Sequence, residues 1–177
     1  MLFYIIAIVC GVLFLLLLTI FLIKGNKLKL LSLKINEAEK DVSEVLNSKY
    51  EELKTINEIM KKKDKEDLLK EIETLNIESI NNIELNKELS KYDKAIIEIT
   101  DYNKEIVFDE DEEKEFDKLA KIDVNRLAIE KFYNDNVTKY NAETSKFISN
   151  IISKLKKYKK KELFSNEKEE IFEILKK

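Results

Sequence analysis

The sequence predicts an all-α protein: an N-terminal transmembrane helix followed by an elongated antiparallel helical bundle of three long helices plus a short C-terminal helix. Three observations carry this expectation. Residues 2–23, LFYIIAIVCGVLFLLLLTIFLI, are apolar without a break. Proline is absent from the 177 residues and the only glycines are Gly11 and Gly25. Tight-turned β architectures therefore lack their turn residues, while long helices are spared their breakers. Beyond the apolar run, hydrophobic residues recur at alternating three- and four-residue spacing, the signature of helices with one buried stripe. The boundaries expected are an anchor over 1–25, a bundle over 26–165 and a short amphipathic helix over 166–177.

The run of 22 residues from Leu2 to Ile23 would extend about 33 Å as a helix, enough for a hydrocarbon core of ~30 Å. A cleaved signal would carry a basic start, a shorter apolar stretch and a small-residue cleavage site, and none is seen. Lys24, Lys27, Lys29 and Lys34 follow the run and no Lys or Arg precedes it. The positive-inside rule then places the N-terminus outside and the soluble part in the cytoplasm. Abundant Lys, Ile and Asn point to an AT-rich genome, so the expected location is a bacterial cell membrane. Cys10, the single cysteine, lies inside the run, which rules out a disulfide framework.

The first soluble stripe is Leu28, Leu31, Ile35, Ala38, Val42 and Val45, continued with a one-residue shift by Tyr50, Leu53, Ile56 and Met60. Gly25 alone does not force a stop, so this helix can run straight out of the anchor. Residues 61–67, KKKDKED, read as a turn or a solvated helix end, with one unbroken helix as the alternative. A second helix is expected from Leu69, Ile72 and Leu75, then Leu85, Leu89, Tyr92, Ile96 and Ile99, with a kink at Asn81-Asn82. Asp101 to Glu113 surround a loop, and the acidic run 109–113 suits the first turn of the next helix, whose exposed N–H groups favour anions. The third helix carries Phe116, Leu119, Leu127, Tyr133, Val137, Tyr140, Thr144, Phe147, Ile151, Leu155 and Tyr158 on one stripe. It ends in KLKKYKKK, residues 154–161, where cations complement the helix dipole. Ser165 or Asn166 would cap the short last helix, with Ile171, Phe172 and Leu175 on its apolar face.

The side-chain inventory argues against catalysis. Histidine is absent, which removes an imidazole base and His-metal chemistry. The lone thiol is in the anchor, no glycine-rich phosphate loop exists, and the acidic run lacks the spacing and glycine of a calcium loop. No catalytic, cofactor-binding or metal-ligating residue is therefore expected, and no cofactor. With 38% charged residues of both signs and a net charge of −3, the soluble part reads as a solvated helical surface, and nucleic acid is not an expected partner.

Two groups remain as candidate partner-binding residues. Tyr133 and Asn134 repeat seven residues later as Tyr140 and Asn141, a core stripe with polar tips or a recognition ridge for another helix. Lys156, Lys157, Lys159 and Lys160 would complement the dipole and aid solubility, or attract an acidic protein, anionic lipid or nucleic acid. If three long helices alternate in direction from the anchor, this lysine patch falls at the end remote from the bilayer.

Phe132, Tyr133, Asn134, Val137, Tyr140, Asn141, Phe147, Asn150, Ile151, Ile152, Lys161, Glu162 and Phe164 together resemble the C-terminal signature of the LemA family. That signature is an aromatic-Tyr-Asn start, a Val, an aromatic-Asn pair, a Phe, an aliphatic-Ile pair and a Lys-rich close ending in Phe. A weaker likeness covers Asp41 to Lys61. Ile148 stands where the family usually has Pro, and Ile129-Glu130 where it has Ala-Arg, as in a diverged member. The resemblance implies a membrane-anchored helical bundle without an established chemistry, and some members are thought to work beside membrane proteases. The expected function is thus a non-enzymatic single-pass membrane protein whose cytoplasmic bundle scaffolds or regulates an unknown, membrane-associated protein, with a homo-oligomer as an open alternative. The rival is an anionic lipid- or nucleic-acid-binding module using the 154–161 lysine patch.

Overall fold

The computed structural model describes residues 1–63, 75, 77–102 and 106–164, and over them the chain is all-α, with no strand. Helix α1 spans Leu2–Lys62, α2 Asn82–Tyr102, α3 Glu110–Thr144 and α4 Phe147–Leu155, with a single 3-10 turn at Ile77–Ser79. The expected last helix, the cap at Ser165 or Asn166, most of the 61–67 turn, and Leu69 and Ile72 lie outside the described residues.

The apolar run and the first soluble stripe are one helix of 61 residues, unbroken at Gly25. Its two ends live in different surroundings. Residues 1–20 are exposed throughout, and the apolar window within α1 has none of its residues covered by the other described residues. The hydroxyl of Thr19 donates to the Leu15 carbonyl at 2.9 Å, so it is satisfied within the helix itself. From Leu28 onward the predicted stripe is buried, with Leu28, Ile35, Ala38, Val42, Leu53 and Ile56 each at 0% exposure.

The chain divides into two compact units, Met1–Glu37 with Tyr133–Lys177, and Ala38–Phe132. In the second unit three helices share a core. Lys49 of α1 reaches Asp123 of α3 at 2.7 Å, Glu52 meets Lys118 at 2.6 Å and Lys63 meets Glu112 at 2.6 Å. As the α1 numbers rise the α3 numbers fall, so α3 is antiparallel to α1. Helix α2 is not. The Asn82 amide donates to the Glu39 carbonyl at 3.0 Å, and Asp93 lies 2.5 Å from Lys49. Both numbers rise together, so α2 runs parallel to α1. Alternating helix directions, expected from short connections, do not hold here: the chain leaves α1 at Lys62 but starts α2 back beside Glu39.

Helix boundaries follow local chemistry. Asn81 is a start, not a kink, since its side-chain oxygen accepts from Glu84 N at 3.0 Å, the bond of an N-cap. Helix α2 continues through Asp101 and Tyr102, which shortens the expected loop. Asp109 caps α3, accepting from Asp111 N and Glu112 N at 3.0 and 2.9 Å, while Glu112 accepts from Asp109 N at 3.0 Å. This reciprocal capping box holds the Asp109 carboxyl below its ordinary range, chiefly through the Glu112 N–H. The acidic run is thus a helix start, and among the described residues no group of His, Cys, Asp or Glu converges to hold a metal.

The interior of this unit is ionic as well as apolar. Lys49 is 0% and Arg126 1% exposed. Arg126 Nε donates to Asp123 at 2.9 Å, and one terminal nitrogen donates to Asn86 at 3.0 Å and to Glu130 at 2.5 Å. Asp123 therefore joins both cations, and one polar chain links all three helices. Burial disfavours the guanidinium charge, but Glu130 and Asp123 more than offset it and keep the group firmly protonated. Arg126 is the sole arginine, placed where a rigid planar fork meets acceptors from two helices. Removing one partner of such a network strands the others in a dry interior. Lys49→Met should lower stability by about 3–5 kcal/mol, measured by urea titration of the detergent-solubilised chain followed by far-ultraviolet circular dichroism.

Candidate functional site

The first unit gathers the sequence-derived candidates at one place. The expected stripe from Tyr133 to Tyr158 does not continue as one helix. Thr144 and Ser145 both turn their hydroxyls onto the Asn141 carbonyl at 2.9 Å, the local competition through which Ser and Thr loosen a helix. Lys146 then adopts an extended conformation, φ −74° and ψ 144°, and α4 begins at Phe147. The break rotates the register. Tyr133, Val137, Tyr140 and Thr144 are buried, as the stripe predicts, but after it the core face is Ser149, Ile152 and Ser153. Phe147, Ile151 and Leu155, expected inside, are 81%, 44% and 70% exposed.

Helix α4 ends in a left-handed turn. Tyr158 N donates to the Ser153 carbonyl at 2.8 Å and Lys157 N to the Lys154 carbonyl at 3.4 Å. This is the pair of bonds of a Schellman motif. Lys157 has φ 56°, the position that glycine usually fills, and so carries a backbone strain of about 1–2 kcal/mol. The chain then returns as an extended strap along α3.

Two asparagines clasp that strap. Asn141 donates to the Lys161 carbonyl at 2.8 Å and accepts from Lys161 N at 3.0 Å. Asn134 does the same with Phe164, at 3.1 and 2.9 Å. A carboxamide carries one donor face and one acceptor, so it pairs with a peptide unit as another peptide would. The spacing explains the heptad: seven residues of helix rise about 10.5 Å, and three residues of extended chain about 10 Å. Tyr133 donates to the Glu162 carbonyl at 3.2 Å and packs edge-on against Phe164 at 5.0 Å. Tyr140 stacks similarly with Tyr158, at 6.3 Å. These four residues bind this chain's own strap.

Glu143 is the electrostatic centre of the unit. Its carboxylate is 2% exposed and accepts from Lys24 at 2.9 Å, Lys27 at 3.0 Å, Lys146 at 2.8 Å and Ser149 at 3.2 Å. Hydrogen bonds from Lys146 and then Lys24 outweigh the effect of burial, with Lys27 and Ser149 adding to them, and the carboxyl lies well below the usual range. The lysines that follow the apolar run are thereby tied to the end of α3. The lysine patch lies at the same place. A β-carbon built on Gly25 would be 4.0 Å from Lys156 Nζ, so the expectation that residues 154–161 fall far from the anchor is overturned. The reason is the parallel α2, which leaves α3 to run back toward the start of α1. Lys156, Lys157, Lys159 and Lys160 are all exposed.

No family model, no curated protein and no solved structure matches the chain.

Glu143→Gln should lower stability by about 1–2 kcal/mol at pH 7, the partial exposure of its lysine partners weakening the charge effect. The folded carboxyl stays ionised to lower pH than the unfolded one, whose ordinary value is 4.5. Its contribution is therefore complete above that value and disappears as pH falls below it. Thermal melts across pH should show the gap between wild type and variant closing only below about pH 4.5. For the clasp, Asn141→Ala should leave global helicity unchanged. It should speed amide exchange at Lys161 about fivefold, the effect of losing about 1 kcal/mol of hydrogen bonding, read by hydrogen–deuterium exchange.

Proposed function

We propose that this is a non-enzymatic, single-pass membrane protein whose helical domain lies in the cytoplasm and works as a scaffolding or regulatory module for a membrane-associated partner. The observation that carries the reading is α1 itself. Its apolar first third is uncovered by any other described residue, and the same helix continues as the buried spine of the polar domain. Uncovered apolar surface of that length is stable only in lipid or against another protein. The lysines that follow it support an N-terminus outside and the domain inside. The absence of histidine and the confinement of the one thiol to the apolar run support a role without catalysis.

The LemA resemblance belongs to this proposal. The residues that carry it, among them Tyr133, Asn134, Tyr140, Asn141 and Phe164, are those of the clasp. A diverged member of that family in a bacterial membrane, placed beside a membrane protease, is the form of the proposal the resemblance suggests.

Carbonate-washed membranes from expressing cells should retain the full chain. In a Cys10→Ser background, an impermeant maleimide applied to intact cells should label Leu2→Cys and spare Lys131→Cys. Labelling of Lys131→Cys reverses the orientation, and release by carbonate removes the membrane reading altogether. In-cell crosslinking followed by mass spectrometry then identifies the partner.

A further inference from the structure

The exposed apolar face of α4 is the feature that neither the core nor the clasp uses. Phe147, Ile151 and Leu155 lie four residues apart, so they share one side of the helix. The opposite side, Ser149 and Ser153 with Ile152 between them, is buried. A helix of nine residues has thus turned its serines inward and its largest hydrophobic side chains outward. In water that arrangement costs free energy, and a single exposed apolar residue would need no account, but an ordered face of three does.

The place of α4 in the chain says what covers it. Helix α3 runs toward the start of the polar part of α1, where Glu143 holds Lys24 and Lys27. The strap after α4 runs the other way. It passes Tyr140 at Tyr158, Asn141 at Lys161 and Asn134 at Phe164, and Lys161 Nζ reaches Asn36, further along α1, at 3.4 Å. Helix α4 is therefore the reversal between an incoming helix and an outgoing strap. Ser149, near its start, is joined to Glu143, and Lys156, just past its end, lies over Gly25. Both ends sit at the level of residues 24–27. The helix thus crosses α1 where the apolar run stops. The packed face bonds to Glu143 at the end of α3, and the opposite face carries Phe147, Ile151 and Leu155 at that same level. Lys154 in the last turn of α4, and Lys156 and Lys157 just past its end, are exposed.

We infer that α4 is an interfacial membrane helix, which seats Phe147, Ile151 and Leu155 in the boundary between headgroups and acyl chains of an anionic bilayer. This rests on the reading that residues 2–23 cross the membrane. A bilayer at residue 24 meets α4 broadside, its surface apolar side chains enter the acyl boundary by about 5–10 Å, and the exposed Lys154, Lys156 and Lys157 beside it meet lipid phosphates. The spanning helix brings α4 to the surface, so a face too small to bind a membrane alone is sufficient once tethered, because the tether makes its contact intramolecular. The consequence for the domain is orientation. A single spanning helix leaves the attached domain free to tilt and rotate. A second contact fixes which side of α3 faces the lipid.

The test uses the full chain in vesicles of phosphatidylcholine with and without phosphatidylglycerol. Three single-cysteine proteins carry an environment-sensitive fluorophore: the natural Cys10, Ile151→Cys with Cys10→Ser, and Asp135→Cys with Cys10→Ser. Position 151 is already exposed, so its label does not disturb the core. Quenchers attached at defined depths on the lipid chains are compared with aqueous iodide. The expected result is loss of fluorescence to deep quenchers at position 10, loss to shallow quenchers with protection from iodide at 151, and only iodide quenching at 135. Protection at 151 should grow with phosphatidylglycerol. Deep quenching at position 10 with a label at 151 still open to iodide overturns the inference about α4 and leaves the anchor intact; in protein-free lipid this is also the result expected if another protein covers that face. Failure of quenching at position 10 overturns the spanning reading itself.

Discussion

The rest of the structure depends on one constraint: a single helix serves two environments. Helix α1 has no proline, and Gly25 sits inside it without a break, so the backbone hydrogen bonds run on from the apolar run into the domain. What changes along its length is only which side chains it carries and what lies against them. Over residues 1–20 nothing among the described residues covers it. From Leu28 to Met60 one stripe is buried and the other faces are polar. Every other element is positioned by that spine, because α2 and α3 both find their depth by ionic or amide contacts to it.

Those contacts matter because apolar stripes alone specify register poorly. Leu, Ile and Val at heptad-like spacing tolerate a slip of one turn, whereas a buried charge tolerates none, since it would lose its counter-ions. Lys49 meets Asp93 of α2 and Asp123 of α3, and Arg126 reaches Asn86 and Glu130. A parallel α1–α2 pair and an antiparallel α1–α3 pair thus share one set of polar groups. Apolar residues of the same volume could pack as tightly there, and the network's contribution is the choice among alternative pairings.

The first unit solves a different problem, how to end a helix and bring the chain back. Asn134 and Asn141 present peptide-like groups to a strap that has no strand beside it. Glu143, at a helix C-terminus where the dipole disfavours a carboxylate, is stabilised there by three lysines. Both arrangements hold the turn containing α4 against the start of the polar chain. In the proposed topology this gives the domain's membrane-facing surface an apolar face with exposed lysines at its end, rather than simply the end of a bundle.

The sequence by itself determined the class of fold, the apolar run, the positions of most core residues before Ser145 and the charge pattern at the start of α3. These are readable because they rest on periodicity and on local capping, which involve residues within one or two turns of each other. It also singled out Tyr133, Asn134, Tyr140 and Asn141, yet left their partner open. The strap they hold is distant by 20 to 30 residues, and no local rule pairs an asparagine with a particular peptide. The direction of α2, the burial of Lys49 and Arg126, and the outward turn of Phe147, Ile151 and Leu155 were decided by tertiary structure alone. In each case the same side chains are compatible with two arrangements; for α2, Lys49 and Arg126 the choice lies in contacts between helices far apart in sequence, and for α4 in a local break followed by the packing of Ser149, Ile152 and Ser153. A lysine is ordinarily solvated until two aspartates from other helices close around it, and a stripe of Phe, Ile and Leu reads as core until two hydroxyls on one carbonyl end the helix and turn it over.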